Sequence, residues 1–300
     1  MANVLVCIRT NNVDSQAFYL ANYYRASGLN VVFAVDETKA SSVSGYVNKC
    51  SYNREWLDEN NLRHDFPTIG WKCGDYALYP VIKRFPNYDG YWLVEDDAII
   101  CDQRLNKLLA GVDPDVDYMA LKFGKRDSSW IWYSSSKFSY KLSDDNVFGC
   151  CFSINYFSSK FASRMFEKRK ELTIVNSSQD LYPGDEGFVA NLLKSEGFVL
   201  KSLEDYFGES FCESYRWSSS GQYYNFHYLS DLKSSDSKGI YHPVLIEDTS
   251  TDYLLRKKKI IKRQANMNGG DVQKYKSFLS KTSDKLHRVI MKNFNSNLGE

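Results

Sequence analysis

The order of apolar runs and helical patterns over the first 36 residues restricts the fold more than any other feature of the sequence. The run NVLVCI at 3–8 is short and rich in β-branched residues, which is typical of a buried strand. A helical repeat follows, with Asp14 placed to cap its start and Gly28 to end it. The run VVFAVD at 31–36 predicts a second strand. Such a β-α-β opening predicts an α/β protein with a mainly parallel sheet flanked by helices.

Later segments continue this alternation. The polar stretch 126–146 is long for a plain connection, so we expect a functional or mobile loop there. Residues 205–238 are rich in Ser, Tyr and Gly and also read as loop. The remaining predicted elements are a helix after Gly74, strands at 90–100, 117–124 and 147–154, helices near 156–169 and 183–197, and a strand-like segment at 240–247.

Charge divides the chain into two predicted parts. The net charge of the 300 residues is +1, which gives no field that favours nucleic acid. Residues 252–300 hold twelve Lys or Arg and four Asp or Glu, so this tail is strongly basic. We therefore predict a catalytic-type domain at 1–247 and a basic helical extension at 248–300.

The apolar runs, the first residues and the cysteines of the sequence favour neither a membrane-spanning nor a secreted protein. The sequence has no run of eighteen apolar residues, and its start reads as a strand and not as a signal peptide. Seven cysteines are scattered without a Cys-x-x-Cys spacing, and we expect them to be reduced thiols. These features predict a cytoplasmic location.

The stretch GYWLVEDDAII at 90–100 places three carboxylates at the end of an apolar strand. Ligands of open α/β sheets bind beyond the carboxyl ends of the strands. Strand alternation would send Glu95 and Asp97 to one side and Asp96 to the other. Adjacent carboxylates are tolerated where a hard divalent cation neutralises them or where water solvates them. The two interpretations are a metal–diphosphate site and an acidic surface turn.

The order of these features resembles the GT-A class of nucleotide-sugar glycosyltransferases, whose fold is Rossmann-like. The segment YWLVEDDAII is similar to the DxD-type motif of that class, in an EDD form. The resemblance implies that Asp97 binds Mn²⁺ or Mg²⁺ and that Glu95 approaches the ribose or the metal shell. Asp96 would support both. Because the class begins the motif with Asp, the Glu at position 95 departs from its pattern.

Five further positions match places where this class holds the nucleotide. Arg9 and Thr10 end the first strand, and Asp36 ends the second. Lys72 and Asp75 lie in GWKCGDYALYP, about twenty residues before the acid triplet. The alternative for each is an ordinary strand-end or helix-cap residue.

The segment PGDEGFVANLL resembles the acidic pair that opens a helix in inverting members of the class. The resemblance implies that Glu186 is the general base and that Asp185 binds acceptor hydroxyls. The class usually has Glu before Asp, and the order here is reversed. Both residues also suit a helix first turn, where the macrodipole stabilises anions, so simple capping is the alternative.

Histidine and tryptophan residues complete the predicted site. The class often returns a C-terminal histidine to the metal, and His242 in KGIYHPV matches that place, with His227 as the rival. Trp130, Trp132 and Trp217 lie in polar segments, where each could stack on a sugar ring or pack within its loop.

Together these positions predict a metal-dependent transferase that moves a sugar from a nucleotide-sugar, most simply a UDP-sugar, to a glycan hydroxyl. The resemblance points to bacterial capsule or lipopolysaccharide synthesis, with a glycan or lipid-linked glycan as acceptor. The basic tail would then dock on an anionic membrane face, pack on the domain, or join two copies. The alternatives are a metal-dependent phosphohydrolase and a glycan-binding module without activity. EDDAII lacks the residue pattern of the haloacid dehalogenase type of phosphohydrolase.

Overall fold

A seven-stranded sheet forms the centre of the protein. The computed structural model describes residues 2–39, 48–67, 69–175, 178–213, 227–228 and 238–245. The sheet has the strand order β10-β6-β9-β4-β1-β2-β3. Its strands are β1 (Val4–Thr10), β2 (Asn30–Asp36), β3 (Lys49–Tyr52), β4 (Gly90–Glu95), β6 (Tyr118–Ala120), β9 (Ile154–Ser158) and β10 (Leu200–Ser202).

The sheet is mainly parallel, as the sequence predicts. Strands β1, β2, β3 and β4 run in one direction, and β10 pairs parallel with β6. The exception is β9, which is antiparallel to both of its neighbours, β4 and β6. Mixed sheets of this kind are common in large α/β folds. The predicted α/β fold class is confirmed.

Three short pairs of strands lie outside the main sheet. They are β5 (Ile99–Cys101) with β12 (Gly239–Tyr241), β7 (Gly124–Lys125) with β8 (Phe148–Gly149), and β11 (His227–Tyr228) with β13 (Val244–Leu245). The first pair returns the end of the described chain to the strand that follows the acid triplet.

Helices cover both faces of the main sheet. Asp14 caps the first of them, accepting bonds from the backbone N–H groups of Gln16 and Ala17. The α-helices are α1 (Ser15–Ala26), α2 (Arg54–Glu59), α3 (Ile69–Lys72), α4 (Tyr79–Arg84), α5 (Leu105–Ala110), α6 (Tyr133–Tyr140), α7 (Ser159–Val175), α8 (Asp185–Glu196), α9 (Leu203–Phe207) and α10 (Glu209–Cys212). Two 3₁₀ helices span Gly74–Leu78 and Asp144–Asn146.

Two apolar cores form because successive side chains of each strand point to opposite faces of the sheet. Val6 of β1 joins the core beneath α1 and α5, and Cys7 joins the core beneath α4, α7 and α8. Both side chains are fully buried. A sheet buried on both faces requires the near-continuous apolar strands that the sequence shows at β1, β2 and β4.

One segment has more regular structure than its sequence indicates, and one strand prediction is wrong. The polar stretch 126–146 contains the helix α6, which packs against α8 and buries Ser135 and Ser136. Tertiary contact there overrides the weak helix propensity of its serines. The strand predicted at 147–154 is only Phe148–Gly149, and the longer strand is β9, which occupies the start of the predicted helix. Four of the five residues of β9 are buried, and the strand pairs with β4 on one side and β6 on the other, which favours the sheet.

Several predictions concern residues outside the described part of the chain. They include the basic extension at 248–300, with its proposed membrane docking, and Trp217. Within the described residues, none of the helices combines the length and the apolar character that a membrane crossing requires.

Candidate active site

The acid triplet lies on a tight turn at the carboxyl end of β4. Glu95 ends the strand, and its carbonyl accepts a 3.0 Å hydrogen bond from the backbone N–H of Ala98. The turn, and not strand alternation, therefore separates the side chains. Asp96 points away from Glu95 and Asp97 and accepts a 2.5 Å hydrogen bond from the hydroxyl of Thr10 at the end of β1.

Backbone pairing brings His242 to this turn. Strand β12 pairs antiparallel with β5, placing Tyr241 opposite Ile99. Three residues after Tyr241, the N–H of Val244 donates a 2.7 Å hydrogen bond to the carbonyl of Asp97. The amide of Gln16 donates to the carbonyls of both Asp96 and Val244, at 2.6 and 3.1 Å. The α1 helix thus ties the acid turn to the returning segment.

Glu95, Asp97 and His242 form a cluster that could hold a metal ion. The His242 Nε2 atom lies 3.7 Å from one carboxylate oxygen of Glu95 and 3.7 Å from one of Asp97. The three potential ligand atoms all lie within 4.8 Å of one another. Ligands about 2.1 Å from one octahedral ion lie roughly 3 to 4.2 Å apart, so this spacing is close to that of a formed site. Two carboxylates and an imidazole suit Mn²⁺ or Mg²⁺, and the donor set fits the predicted metal.

Arg9 lies between this cluster and a second group of acids. One of its guanidinium nitrogens pairs with Glu95, and the other lies 3.7 Å from Asp185. Burial alone would lower the pKa of Arg9, but the attraction of Glu95 and Asp185 outweighs it and raises that pKa. Burial raises the pKa of Glu95, and repulsion from Asp97 adds to the increase, while Arg9 and His242 oppose it. The Arg9 guanidinium therefore interacts both with the metal-ligand cluster, through Glu95, and with the acid pair, through Asp185.

Asp185 and Glu186 begin α8 and differ in their surroundings. Asp185 is buried, and its carboxylate accepts bonds from the backbone N–H groups of Gly74 and Glu186, at 3.0 and 2.7 Å. Burial raises its pKa to about 7, against the attraction of Arg9. Glu186 is half-buried, and burial together with repulsion from Asp185 raises its pKa to about 8. Carboxyl groups in this range are suited to proton transfer near neutral pH.

The two acidic groups are electrostatically connected. Glu95 contributes to the raised pKa of Glu186, whereas Arg126 lowers it. The Trp132 side chain also lowers the pKa of Glu186. Trp130 is half-buried, with the guanidinium of Arg126 5.6 Å from its ring. The structure therefore brings Arg9, Glu95 and the acid pair into one region, beside Trp132.

Asp36 occupies the end of β2, as the sequence predicts. One carboxylate oxygen accepts bonds from the backbone N–H and the hydroxyl of Thr38, at 2.9 and 2.6 Å. The other lies against α3, where a Cβ added to Gly70 would be 2.4 Å from it. Asp36 is half-buried, and its predicted nucleotide contact stays a prediction.

Asp75 requires a correction. Its side chain is fully buried, and both carboxylate oxygens accept 2.8 Å hydrogen bonds from Arg169, which is also fully buried. Tyr79 donates a further bond to the same carboxylate. Because no atom of Asp75 is exposed to a ligand, the predicted nucleotide contact is wrong in this conformation. The residue instead joins the 3₁₀ helix Gly74–Leu78 to α7.

Lys72 and His227 are less informative. The Lys72 amine donates a 2.5 Å hydrogen bond to the carbonyl of Gln179 and lies 4.6 Å from the centre of the Phe66 ring. A contact with a nucleotide would require that amine to leave Gln179, and it stays a prediction. His227 pairs in β11 with Val244 of β13, and its side chain is outside the described part of the structure.

Sequence reasoning missed three residues near the site. The sequence places Gln16 on the first predicted helix and gives no sign that its amide joins α1 to the acid turn and to the segment of Val244. Arg169 lies far from Asp75 in sequence, and nothing in a single sequence pairs the two. Trp71 is exposed beside Trp132, and the only signal for it was a tryptophan in a short polar segment.

Comparison with known proteins gives a likeness to solved structures. No family model matches the sequence, and no curated protein matches it. The chain is similar to a glycosyltransferase involved in the glycosylation of the major capsid of PBCV-1, with 9% identity, coverage of 66% of this chain and 81% of that chain, and a TM-score of 0.34. It is also similar to the galactosyltransferase LgtC in complex with donor and acceptor sugar analogues, with 11% identity, coverage of 78% and 79%, and a TM-score of 0.40.

An active-site mutant of LgtC gives the same TM-score of 0.40, with 10% identity and coverage of 83% of this chain and 81% of that chain. These neighbours are glycosyltransferases. Because the identities and TM-scores are low, the function of this chain rests on the geometry of its own side chains.

Proposed function

We propose that the protein is a GT-A-type glycosyltransferase that depends on a divalent metal. The observation that supports this most directly is the joint arrangement around Arg9. A three-residue metal-ligand cluster lies on one side of this cation, and an acid pair with raised pKa values lies on the other. Both groups lie where ligands of an open α/β sheet bind, beyond the carboxyl ends of β1 and β4.

Glu95, Asp97 and His242 would hold Mn²⁺ or Mg²⁺. When bound, such an ion neutralises the diphosphate of a nucleotide-sugar and so stabilises it as a leaving group. Arg9 would supply further positive charge beside that diphosphate. Thr10 and Asp96 hold the ends of β1 and β4 together, and Asp36 at the end of β2 would bind the ribose or base. We propose a UDP-sugar as donor.

Glu186 would act as the general base in an inverting reaction. Its carboxylate takes the proton of an acceptor hydroxyl as that oxygen forms a bond to the anomeric carbon. The bond from this carbon to the diphosphate breaks, and the nucleoside diphosphate leaves with the electron pair. Asp185 is less suited to the role, because its oxygens already accept bonds from the N–H groups of Gly74 and Glu186. It would instead hold Arg9 and the start of α8 in place.

The proposed acceptor is a glycan or a lipid-linked glycan of a bacterial surface polysaccharide, such as capsule or lipopolysaccharide. A cytoplasmic enzyme would meet such an acceptor at the inner face of the plasma membrane. The basic extension at 248–300 would favour contact with that anionic surface.

Nucleotide release tests the proposed function. The protein is incubated with Mn²⁺ and a panel of UDP-, GDP- and CMP-sugars, and free nucleotide and inorganic phosphate are measured. We expect slow release of a nucleoside diphosphate from one donor, and loss of this release in the Asp97→Ala variant. Release of inorganic phosphate would indicate a phosphohydrolase instead. Donor binding without any release would indicate a glycan-binding or nucleotide-binding module.

A further inference from the structure

Trp71 is an exposed aromatic residue at the border of the acid pair. Its side chain is 58% exposed, whereas Trp132, which it contacts, is 8% exposed. The ring centres are 4.7 Å apart and the ring planes are inclined by 48°. An exposed aromatic ring that packs on a second tryptophan offers a flat apolar face to a ligand.

The segment that carries Trp71 is fixed on both sides, so the exposed ring is held in place. Gly70 packs against Asp36 so closely that a Cβ at this position would lie 2.4 Å from the Asp36 carboxylate. Lys72 is bonded to the carbonyl of Gln179 in the segment before α8. Because its neighbours in sequence are anchored, Trp71 pays little conformational entropy to present its ring.

Trp132 connects this surface to the acid pair. Its indole lies across Gly184, where a Cβ would be 2.5 Å from the ring. The same side chain is near enough to Glu186 to lower the pKa of its carboxyl group. Trp132 therefore connects the exposed ring of Trp71 to the start of α8, where Glu186 lies.

The chemistry of this surface matches a sugar ring. A pyranose has an apolar face of C–H groups, which packs on an aromatic ring, and a rim of hydroxyls, which bond to carboxylates. We infer that Trp71 and Trp132 form the acceptor subsite, on which a pyranose rests by its C–H face with one hydroxyl directed to Glu186. This inference rests on the proposed function and assigns the two residues that would hold the sugar ring of its acceptor.

The acid pair next to the tryptophans disfavours an anionic occupant. Asp185 and Glu186 offer no positive charge to a phosphate group or an anionic bilayer, and when ionised they repel either one. Ile131, adjacent in sequence to Trp132, is also apolar and is 67% exposed. It provides a matched control, since a general apolar surface would use Ile131 as well as Trp71.

Saturation-transfer NMR tests binding without need of a donor. The probes are the methyl glycosides of glucose, galactose and mannose, with sorbitol as an acyclic polyol. We expect saturation of the C–H protons on one face of at least one glycoside, and none for sorbitol. The Trp71→Ala variant should lose this signal, while Ile131→Ala should keep it. Equal signals in wild type and Trp71→Ala, or no signal for any glycoside, overturn the inference.

Steady-state transfer gives a second measurement. With a donor from the release assay and the glycoside that binds, Trp71→Ala should raise the acceptor KM by about tenfold, as expected for a lost aromatic contact of roughly 1.4 kcal/mol. Donor hydrolysis in the absence of acceptor should not change. An unchanged acceptor KM contradicts the subsite. Failure of donor hydrolysis in the wild type contradicts the proposed function and leaves the NMR result to decide the subsite.

Trp132→Phe separates the two roles of Trp132, because phenylalanine keeps an aromatic ring and lacks the indole N–H. We expect a modest change in acceptor KM and a shift of the pH–kcat profile to higher pH, since the indole N–H of Trp132 favours the ionised form of Glu186. Thermal unfolding checks that the variant is folded. A pH profile identical to that of the wild type, in a folded variant, contradicts the positioning role of Trp132.

Discussion

Arg9 and Glu95 face each other as register partners on the parallel strands β1 and β4, and their side chains form an ion pair. The second guanidinium nitrogen of Arg9 extends toward Asp185 at the start of α8. A strand-end cation thus contacts both the metal-ligand cluster and the acid pair. A substitution in the metal-ligand cluster is therefore expected to alter the electrostatics of the acid pair, and the reverse.

Removal of a metal ligand should remove metal-dependent donor binding. In Asp97→Ala, one of the three clustered donors is lost, and we expect the affinity for a nucleotide-sugar in Mn²⁺ to fall by more than about 100-fold. Isothermal titration calorimetry with and without Mn²⁺ measures this effect. Asp115→Ala, which changes an exposed acid between α5 and β6, is the control. Unchanged donor affinity in Asp97→Ala would show that the cluster is not the metal site.

Glu186→Gln should separate binding from transfer. The amide keeps the shape of the side chain but cannot take a proton, so we expect transfer to fall by about 10²–10⁴-fold with donor affinity retained. In the wild type, transfer should rise with pH toward about 8, because the base must be ionised. The variant should lack this rise. Full transfer by Glu186→Gln excludes this residue as the base.

The raised pKa values also predict how stability depends on pH. Between the usual range of a glutamate side chain and about pH 8, the folded protein holds the Glu186 proton that the unfolded chain has released. The free energy of unfolding should therefore decrease as pH rises through this interval. Urea unfolding of the metal-free protein measures the slope, and Glu186→Gln should make it shallower. A slope that is the same in both proteins would contradict the raised pKa.

The ion pair of Arg169 with Asp75 should contribute strongly to stability. Arg169→Met leaves a fully buried carboxylate without its partner, and we expect a loss of about 3–5 kcal/mol in the free energy of unfolding. Arg164, whose bonds to Glu171 and Glu196 are partly exposed, provides the control. Arg164→Met should cost about 0–1 kcal/mol. Equal losses in the two variants would show that burial of the pair has no special effect.

Gly74 should be intolerant of a side chain. A Cβ at this position would lie 1.7 Å from a guanidinium nitrogen of Arg9 and 2.5 Å from the Asp185 carboxylate. We expect Gly74→Ala to displace Arg9 and reduce both thermal stability and nucleotide release. Gly124→Ala is the control, since its Cβ would have its nearest neighbour at 3.9 Å. If Gly74→Ala keeps the thermal stability and the nucleotide release of the wild type, the position of Arg9 is not important for either property.

Local patterns were sufficient to predict the centre of the fold. The apolar runs that become β1, β2 and β4 are buried on both faces, so their composition alone indicates a covered parallel sheet. The strand β9 was misplaced because a short apolar run does not reveal where pairing begins. The helix α6 was missed because contacts with α8, and not local propensity, stabilise it.

The site was predictable only in part, for a similar reason. Glu95, Asp97 and His242 follow predicted strands, and the structure brings them together. Asp75 looked similar in sequence, yet its partner Arg169 lies on a distant helix and occupies its carboxylate. The contact of Trp71 on α3 with Trp132 at the start of α6 likewise depends on tertiary packing, which a single sequence does not contain.

The pairing of β12 with β5 has a consequence for the order in which the protein becomes functional during synthesis. Glu95 and Asp97 emerge from the ribosome well before His242, and the segment that carries His242 is secured by Gln16 and Asp97. We expect chains stopped before β12 to bind Mn²⁺ more weakly than chains that include β13, which electron paramagnetic resonance of the ion can measure. Ion affinity would then report whether translation has passed the last described strand.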